Sequence, residues 1–381
     1  MPDSDNFSLS GLLEELELEI EDREKSLDQK RTPLQTDKSA TEPVDAVIPP
    51  STATADDWQF MGLLEGLEGS SAEASMSRSK DRQSLEGMKR ETREAAIQVP
   101  RPWPASDSQL VAFTSLASDA NSAYRSYMED GSLSLHPFEQ GSSGSSSDRW
   151  GFFAVYDGHG GREAVDYCEM RLHEQVALEM KTSSPLDALK TAFHKIDSQL
   201  GMYGAWNHGT TATVVLVQGT KAGRSLHIAH VGDSRAVLIE NIGCCRSLTK
   251  DHRPTDLEEA KRVTKGGGIV SGGRVGGDLA ISRSLGDHRL KGKGLSCTPD
   301  LSTVSVASGH ALIVATDGLW DVVSDEDACR IVERSVEQAA GAHKNPPDVS
   351  EWLQQHTSQE LVDEAKRLGS RDNVLVLTLF F

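Results

Sequence analysis

The sequence predicts an α+β fold, a sandwich of antiparallel β-sheets flanked by pairs of helices. Strand-like segments follow one another in a run at residues 212–218, 225–230 and 235–240. Helical patterns occur in pairs, the first of them at residues 163–181 and 185–202. Regular alternation of strands and helices would instead predict a parallel sheet, so this grouping favours the sandwich.

The fold is predicted for only part of the chain. Residues 1–108 are rich in Pro, Ser, Thr and acidic residues and carry more than half of the net charge of −19. Too little apolar surface is available there to offset the entropy of ordering, so we expect a disordered acidic extension. The proline-rich run at residues 99–104 cannot be helical and marks a boundary. Residues 109–381 are predicted to form one globular domain.

The remaining elements are predicted from local patterns in chain order. Apolar runs predict further strands at residues 110–117, 152–156, 311–316 and 373–381. Helical periodicity predicts further helices at residues 257–265, 325–340 and 350–368. Stretches rich in Gly or Ser predict a loop at residues 132–149, and loops or tight turns at residues 266–277.

Composition argues against several classes of protein. A net charge of −19 argues against nucleic acid as the main partner, because a phosphate backbone requires a basic surface. The sequence has no apolar run of about 18 residues, so no membrane span is expected, and its N-terminus shows no secretory leader pattern. The five cysteines lack metal-binding spacing, so we expect reduced thiols in a cytoplasmic or nuclear protein.

The stretch from Gly151 to Gly161 carries the first chemical signal. Its apolar run at residues 152–156 predicts a buried strand that ends at Asp157 and a glycine-rich turn. A carboxylate at the end of a buried strand is held rigidly, and Gly158 lets the backbone approach whatever Asp157 binds. A hard cation takes carboxylate and carbonyl oxygens together, so this pattern fits a metal. The alternative is that Asp157 only caps the following helix.

Two further aspartates lie at the ends of predicted strands. Asp317 follows the strand at residues 311–316, and Asp372 precedes the strand at residues 373–381. Three carboxylates gathered at one end of a sheet would repel one another unless a cation neutralised them. Sites made only of oxygen ligands suit Mg²⁺ or Mn²⁺. Each aspartate alone could be an ordinary turn residue, but together they predict a divalent metal centre.

Eight short motifs follow one another between residues 125 and 373. They are Arg125-Ser126-Tyr127-Met128-Glu129-Asp130, Asp157-Gly158-His159-Gly160-Gly161, Gly209-Thr210-Thr211-Ala212, Val231-Gly232-Asp233-Ser234-Arg235, residues 248–254, residues 279–287, Ala315-Thr316-Asp317-Gly318-Leu319-Trp320-Asp321 and Gly369-Ser370-Arg371-Asp372-Asn373. In this order they resemble the metal-dependent, type-2C protein serine/threonine phosphatases. The resemblance covers residues 109–381 and leaves the N-terminal extension uncovered.

The resemblance implies the four-layer α-β-β-α form of the sandwich, with two antiparallel sheets between helix pairs. It implies hydrolysis of phosphoserine and phosphothreonine in proteins by a water activated between two Mg²⁺ or Mn²⁺ ions, with a third, weaker ion site. We expect phosphoprotein substrates and a monomer. The alternatives are a catalytically silent scaffold with the same fold, against which the complete set of acids argues, and a small-molecule phosphomonoesterase.

The resemblance also implies a role for each site residue. The metal ligands would be Asp157, the carbonyl of Gly158, Asp317 and Asp372. Glu129, Asp130 and Asp321 would hold metal-bound waters, and Asp233 would serve the third ion together with Asp317. Arg125 would bind the substrate phosphate, because its planar fork matches two phosphate oxygens. His159 would protonate the leaving alkoxide, for which histidine has a suitable pKa.

Three of these residues have simpler alternative roles, and the sequence departs from the family pattern at two places. Without the resemblance, His159 could cap a helix, Arg125 could be a surface residue and Asp233 could close a hairpin. Arg253 stands where the family motif has Lys. The family usually has Gly shortly before the position of Arg125, whereas Ala123 and Tyr124 precede it here.

The N-terminal extension contains an internal repeat. Residues 11–17 recur as residues 62–68 with one difference, and in both copies apolar residues fall on one face of a short helix. A helix this short is only marginally stable in water. Its apolar face therefore needs a surface that buries it. We therefore expect the segments at residues 7–17 and 58–68 to dock on a partner or on the catalytic domain. The proposed contact residues are Leu12, Leu13, Leu63 and Leu64. The simpler alternative is that the repeat arises by chance in a disordered acidic tail.

Overall fold

The structure is a computed structural model, and it describes residues 109–138 and 148–381. Its strands are Phe113–Asp119 (β1), Gly131–Leu135 (β2), Arg149–Tyr156 (β3), Gly158–His159 (β4), Gly209–Thr210 (β5), Ala212–Thr220 (β6), Gly223–Val231 (β7), Arg235–Asn241 (β8), Cys244–Ser247 (β9), Val270–Ser271 (β10), Arg274–Val275 (β11), Leu285–Gly286 (β12), Asp300–Val306 (β13), Ala311–Ala315 (β14) and Val374–Phe380 (β15). Its helices are Glu163–Glu179 (α1), Pro185–Met202 (α2), Leu257–Lys265 (α3), His288–Lys291 (α4), Asp317–Trp320 (α5), Asp325–Ala342 (α6) and Pro346–Arg367 (α7).

The longer strands form two five-stranded sheets. Sheet 1 has the strand order β1-β15-β14-β8-β9, and sheet 2 has the order β13-β7-β6-β3-β2. All neighbouring strands in both sheets are antiparallel. The short strands β12, β5 and β4 form a separate small sheet beside sheet 2. The predicted α+β architecture with antiparallel sheets is confirmed.

The central strands are almost wholly apolar because both of their faces are buried. In β15 all seven residues are buried. Val376 and Phe380 pack in a core formed with α6 and α7, whereas Leu375 and Leu377 point into a core between the two sheets. A third core lies between sheet 2 and the helices α1 and α2. The layers are therefore helices, sheet, sheet and helices, as the four-layer sandwich requires.

Polar residues determine where the long helices begin. The Ser184 hydroxyl accepts a hydrogen bond from the backbone N–H of Asp187 at 3.3 Å, and Pro185 occupies the first helical position of α2. The Ser324 hydroxyl accepts from the N–H of Asp327 at 3.1 Å at the start of α6. Such caps satisfy an otherwise free N–H of the first turn. The predicted bounds of α2 and the predicted start of α6 are confirmed.

The predicted loop at residues 132–149 is wrong in its first part. Residues 131–135 form β2, which pairs with β3 from Gly131 opposite Tyr156 to Leu135 opposite Phe152. Ser and Gly favour a loop, but here the hydrogen bonds to β3 and the packing of Leu133 and Leu135 on the α1–α2 core favour a strand. Residues 139–147 lie outside the described part.

The glycine-rich stretch at residues 266–277 contains the tight turns that the sequence predicts. It also contains a small hairpin, in which β10 pairs with β11. The two residues between these strands, Gly272 and Gly273, have φ values of 57° and 73°. Positive φ at both central residues is the requirement of a two-residue hairpin turn, which glycine meets without strain.

Several boundaries and two edge strands differ from the prediction. Strand β1 begins and ends later in the sequence than the strand predicted at residues 110–117, and α7 begins earlier than the helix predicted at residues 350–368. The sequence does not predict the edge strands β9 and β13, because neither contains a continuous apolar run of the length seen in the central strands. Strand β13 forms because it pairs along its full length with β7.

No helix in the described residues has the length and apolar character needed to span a membrane. All five cysteines lie in the described part and are free thiols, as their spacing predicts. The acidic extension, the repeat segments at residues 7–17 and 58–68, and the residues Leu12, Leu13, Leu63 and Leu64 lie outside the described residues.

Candidate metal centre

One end of the sandwich gathers the predicted acids. In sheet 2, β3 ends immediately before Asp157, and β7 ends shortly before Asp233. In sheet 1, β14 ends shortly before Asp317, and β15 begins shortly after Asp372. The pairing registers place all four positions at the same end. In sheet 1, Ala315 at the end of β14 lies opposite both Val376 of β15 and Arg235 of β8. In sheet 2, Val155 of β3 and Val231 of β7 lie opposite Thr213 and Ala212, which are adjacent residues of β6. Residues far apart in sequence therefore meet at one site.

Three of these carboxylates form a cluster. One oxygen from each of Asp157, Asp233 and Asp317 lies within 4.8 Å of the others. Asp130 lies beneath this cluster with its side chain buried, and its Oδ2 accepts a hydrogen bond from the Thr316 hydroxyl at 2.9 Å. The structure thus brings a set of carboxylate oxygen donors together at one place.

Burial and mutual repulsion raise the pKa of each acid in this group. Burial raises the pKa of Asp130 to about 8, with smaller contributions from Asp317 and Asp372. Burial and the charge of Asp317 raise the pKa of Asp233 to about 7. Burial raises the pKa of Asp317 to about 6, and the pKa of Asp157 lies well above its usual range for the same reason. Ionised carboxylates in such a place need a cation, and hard oxygen donors suit Mg²⁺ or Mn²⁺.

The backbone around Asp157 is fixed from two sides. The Asp157 N–H donates to the Thr211 hydroxyl at 3.1 Å, and the Asp157 carbonyl accepts from the Thr211 N–H at 2.9 Å. On the other side, Gly158 lies so close to the preceding motif that a Cβ at this position would be 2.6 Å from the Glu129 carbonyl oxygen. The glycine is therefore required by close packing, which holds Asp157 and Glu129 in a fixed relation.

Glu129 and Asp372 lie at the edge of the cluster and organise its neighbours. The Glu129 carboxylate accepts from the Gly161 N–H at 2.8 Å, which fixes the glycine-rich turn after Asp157. The Asp372 carboxylate forms an ion pair with Arg125, whose side chain is 42% exposed. The exposed guanidinium of Arg125 therefore lies beside the acids at the surface of the site.

Asp321 lies at the outer side of the cluster and is paired with Arg253, whose role the sequence does not predict. Its Oδ1 accepts from Arg253 Nη2 at 2.7 Å, and the same Nη2 lies 3.2 Å from Asp233 Oδ2. Asp321 is half exposed, whereas Asp233 is buried.

His159 is held by a buried aspartate. Its Nε2 lies 2.8 Å from Asp287 Oδ2, and the Ser284 hydroxyl donates to the same oxygen at 2.6 Å. Burial lowers the pKa of His159, but the hydrogen bond and the charge of Asp287 outweigh it, so the net pKa lies above the ordinary value. Gly209 makes room for this contact, because a Cβ there would lie 2.0 Å from Asp287 Oδ2. A proton on His159 is therefore stabilised beside the acids.

Comparisons with known proteins agree with the fold. The family model described as protein phosphatase 2C matches residues 114–374. The chain belongs to the protein phosphatase 2C family. It is similar to protein phosphatase 2C homolog 1 of Saccharomyces cerevisiae, with 34% identity over 282 residues that cover 70% of this chain and 92% of the yeast protein.

Two further relatives match a smaller share or share only the fold. Protein phosphatase 1B of Mus musculus is 34% identical over 262 residues, which cover 61% of this chain and 63% of the mouse protein. A solved structure of a phosphatase from Toxoplasma gondii superposes with a TM-score of 0.59 at 21% identity, over 70% of this chain and 92% of that chain. The chain is thus a metal-dependent protein serine/threonine phosphatase, and neither the silent scaffold nor the small-molecule phosphomonoesterase is favoured.

Two residues of this candidate site, Asp287 and Arg253, are not predicted from the sequence. Asp287 belongs to a family-like motif, but its contact with His159 spans 128 positions of sequence and depends on the left-handed backbone of Asp287, with a φ of 51°. The family motif has Lys at the position of Arg253, and this basic character is the sequence signal for the contacts of Arg253 with Asp233 and Asp321.

The raised pKa values predict how the metal-free phosphatase responds to pH. Folded-state pKa values of about 6 for Asp317, about 7 for Asp233 and about 8 for Asp130 lie above those of an unfolded chain. The folded protein therefore binds extra protons, and the stability that they contribute is lost as pH rises through these values. The free energy of unfolding in chelator is expected to fall between about pH 5 and pH 9.

Urea unfolding at a series of pH values in excess chelator measures this dependence. The variant Asp233→Asn should show a shallower fall, because it removes one of the raised carboxyls, and saturating Mn²⁺ should flatten the curve for the wild type. A free energy of unfolding that rose over this range in chelator would show that the acids are not coupled as the structure indicates.

Proposed function

We propose that this phosphatase binds two Mg²⁺ or Mn²⁺ ions at the Asp157 end of the sandwich and hydrolyses phosphoserine and phosphothreonine in substrate proteins. The observation that carries the proposal is the cluster in which Asp157, Asp233 and Asp317 each offer an oxygen within 4.8 Å of the others. The proposed ligands are Asp157, the Gly158 carbonyl, Asp317 and Asp372, with Glu129, Asp130 and Asp321 orienting waters and Asp233 serving a third, weaker ion. Bound there, the ions would supply an activated water and neutralise charge on the phosphoryl oxygens.

Arg125 is proposed to bind the phosphate of the substrate. Its ion pair with Asp372 holds the guanidinium at the edge of the acid cluster, and its 42% exposure leaves the fork accessible from solvent. A guanidinium can donate two parallel hydrogen bonds to a phosphate, which fixes both the position and the rotation of the group. Arg125 would therefore orient the phosphorus atom towards the acids.

His159 is proposed to hold the proton that the leaving oxygen of serine or threonine requires. Asp287 binds Nε2 of the ring at 2.8 Å, so the other ring nitrogen is the one that can face a substrate. Because Asp287 raises the pKa of His159, the ring is protonated over a wider pH range than a free histidine. This is the condition that a general acid has to meet.

Hydrolysis of a phosphothreonine peptide by the full chain tests the proposed function. We expect release of phosphate with Mn²⁺ or Mg²⁺, loss of activity in excess chelator and recovery when the metal is added back. Full activity in excess chelator would refute the metal mechanism. No activity on any phosphopeptide, with retained activity on small phosphate esters, would instead favour a small-molecule phosphatase.

We further propose that the segments at residues 7–17 and 58–68 are docking helices for a partner protein or for the catalytic domain. The repeated apolar face with acidic residues opposite supports this idea, and two copies on one chain would gain avidity from a two-site partner. We also propose a monomer in the cytoplasm or nucleus that takes part in signalling, with phosphoproteins rather than nucleic acid as its partners. The free thiols and the net charge of −19 are consistent with that environment.

Replacement of Leu12, Leu13, Leu63 and Leu64 by alanine tests the docking segments. If the segments dock, the quadruple variant should lose bound partners that the wild type retains, or change its kinetics on a peptide substrate. Substitution of Glu14, Glu17, Glu65 and Glu68 by glutamine, on the opposite face, provides a matched control. Unchanged partners together with unchanged kinetics would refute the docking role.

A further inference from the structure

Arg253 places a positive charge at the outer side of the acid cluster. Its Nη2 lies 2.7 Å from Asp321 Oδ1 and 3.2 Å from Asp233 Oδ2. A single guanidinium nitrogen thus bridges two carboxylates, one of them buried and the other half exposed. We call Asp233, Asp321 and the space between them the outer corner of the site.

A network of ion pairs holds Arg253 in this position. Its Nε lies 3.6 Å from Asp251 Oδ2. Asp251 is itself bound on both oxygens by Arg235, at 3.0 Å and 2.9 Å, and Arg235 also bonds to Asp325 at the start of α6. Because each carboxylate has a basic partner with defined geometry, Arg253 is part of a built site and not a loose surface side chain.

Two hydrogen bonds fix the segment that carries Arg253 against the loop that carries Asp233. The His252 N–H donates to the Gly232 carbonyl at 2.7 Å, and the Gly232 N–H donates to His252 Nδ1 at 3.2 Å. These two bonds lie one residue before Arg253 and one residue before Asp233. The distance between the guanidinium and the outer corner is therefore set by the fold.

The charges show what this arrangement does. An arginine guanidinium is always charged in a protein, and Nη2 of Arg253 lies 2.7 Å from Asp321 Oδ1 and 3.2 Å from Asp233 Oδ2. A divalent ion at the outer corner would need the same carboxylate oxygens, and it would lie within repulsive distance of the guanidinium.

We propose that Arg253 is the resident cation of the outer corner and competes there with the third, weaker divalent ion. The inner ions, held by Asp157, Asp317 and Asp372, are affected less, because the ion pairs of Arg253 are with Asp233, Asp251 and Asp321. Arg253 thereby sets how weakly the third ion binds and keeps Asp233 and Asp321 in place when that ion is absent. This inference rests on the proposed metal centre and adds to it a residue that controls its occupancy.

Binding of Mn²⁺ to the full chain, with no substrate present, tests the proposal. The paramagnetic resonance signal of free Mn²⁺ gives the number of bound ions and their dissociation constants at each total concentration. We expect the weakest ion to bind about tenfold more tightly to Arg253→Gln than to the wild type, because a unit charge at this distance is removed. The tighter ions should change by less than about twofold, since the charge is farther from them.

Two further variants control the experiment. Arg253→Lys keeps the charge but loses the planar fork, so the weakest ion should bind with an intermediate constant, and this variant stands in if Arg253→Gln does not fold. Arg246→Gln removes an arginine of β9 that pairs with Glu240, and it should bind Mn²⁺ like the wild type. An unchanged or weaker third ion in both Arg253 variants would overturn the inference. No bound Mn²⁺ in the wild type would instead refute the proposed metal centre on which the inference rests.

Discussion

The variant Asp157→Asn is expected to lower the turnover of a phosphothreonine peptide by on the order of 10³-fold or more. Asp157 belongs to the acid cluster, and burial together with the charges of Asp317, Asp130 and Asp233 raises its pKa. A neutral amide binds a hard cation poorly, so both the activated water and the neutralisation of phosphoryl charge would be lost together. Asp317→Asn is expected to lower turnover of the same peptide by a factor of the same order.

Steady-state kinetics at saturating Mn²⁺, together with thermal unfolding in chelator, separates this effect from misfolding. In the metal-free state Asp157→Asn should be at least as stable as the wild type, because it removes one of several carboxylates that repel one another. Asp363→Asn, on the exposed face of α7, provides a matched control with unchanged turnover. Wild-type turnover in Asp157→Asn would exclude this acid from the chemistry.

The variant His159→Gln is expected to lower turnover of the phosphothreonine peptide by about 10²–10⁴-fold, but turnover of para-nitrophenyl phosphate far less. The alkoxide of threonine needs a proton as it leaves, whereas nitrophenolate is stable without one. Asp287 holds the ring in one orientation at 2.8 Å, so glutamine would lose the proton while keeping part of the polar contact.

Comparison of kcat on the two substrates distinguishes proton donation by His159 from a structural role of this residue. A structural role for His159 predicts equal losses on both substrates, and that result would contradict the proposal. His356→Gln, an exposed histidine on α7, is expected to change neither rate.

Asp157, Asp317 and Asp372 could be predicted from the sequence because each lies next to a recognisable strand, whereas the other acids of the site are implied only by the resemblance to the family. The apolar runs before Asp157 and Asp317 and after Asp372 mark strands whose two faces are both buried. Such runs are the clearest strand signal, and antiparallel pairing brings their ends together. The clustering of Asp157, Asp233 and Asp317 follows from that register.

The parts that sequence could not predict depend on contacts between distant residues. Strand β13 and strand β2, which lies at the start of the segment predicted as a loop at residues 132–149, form because each has a neighbouring strand to pair with. Local composition does not show that such a partner is available. The bond from Asp287 to His159 and the bridge from Arg253 to Asp321 depend on side-chain directions set by the fold. Local patterns therefore locate Asp157, Asp317 and Asp372, and tertiary structure determines which residues position and neutralise them.

Diffraction from crystals of the phosphatase grown with Mn²⁺, recorded near the manganese absorption edge, tests the metal centre most directly. We expect two strong anomalous peaks about 3.5–4 Å apart, both within coordination distance of Asp157, with Asp317 and Asp372 as further ligands. A weaker third peak beside Asp233 should appear only at high Mn²⁺ concentration. The absence of any peak at Asp157 in crystals of the active protein would contradict the proposed two-metal mechanism.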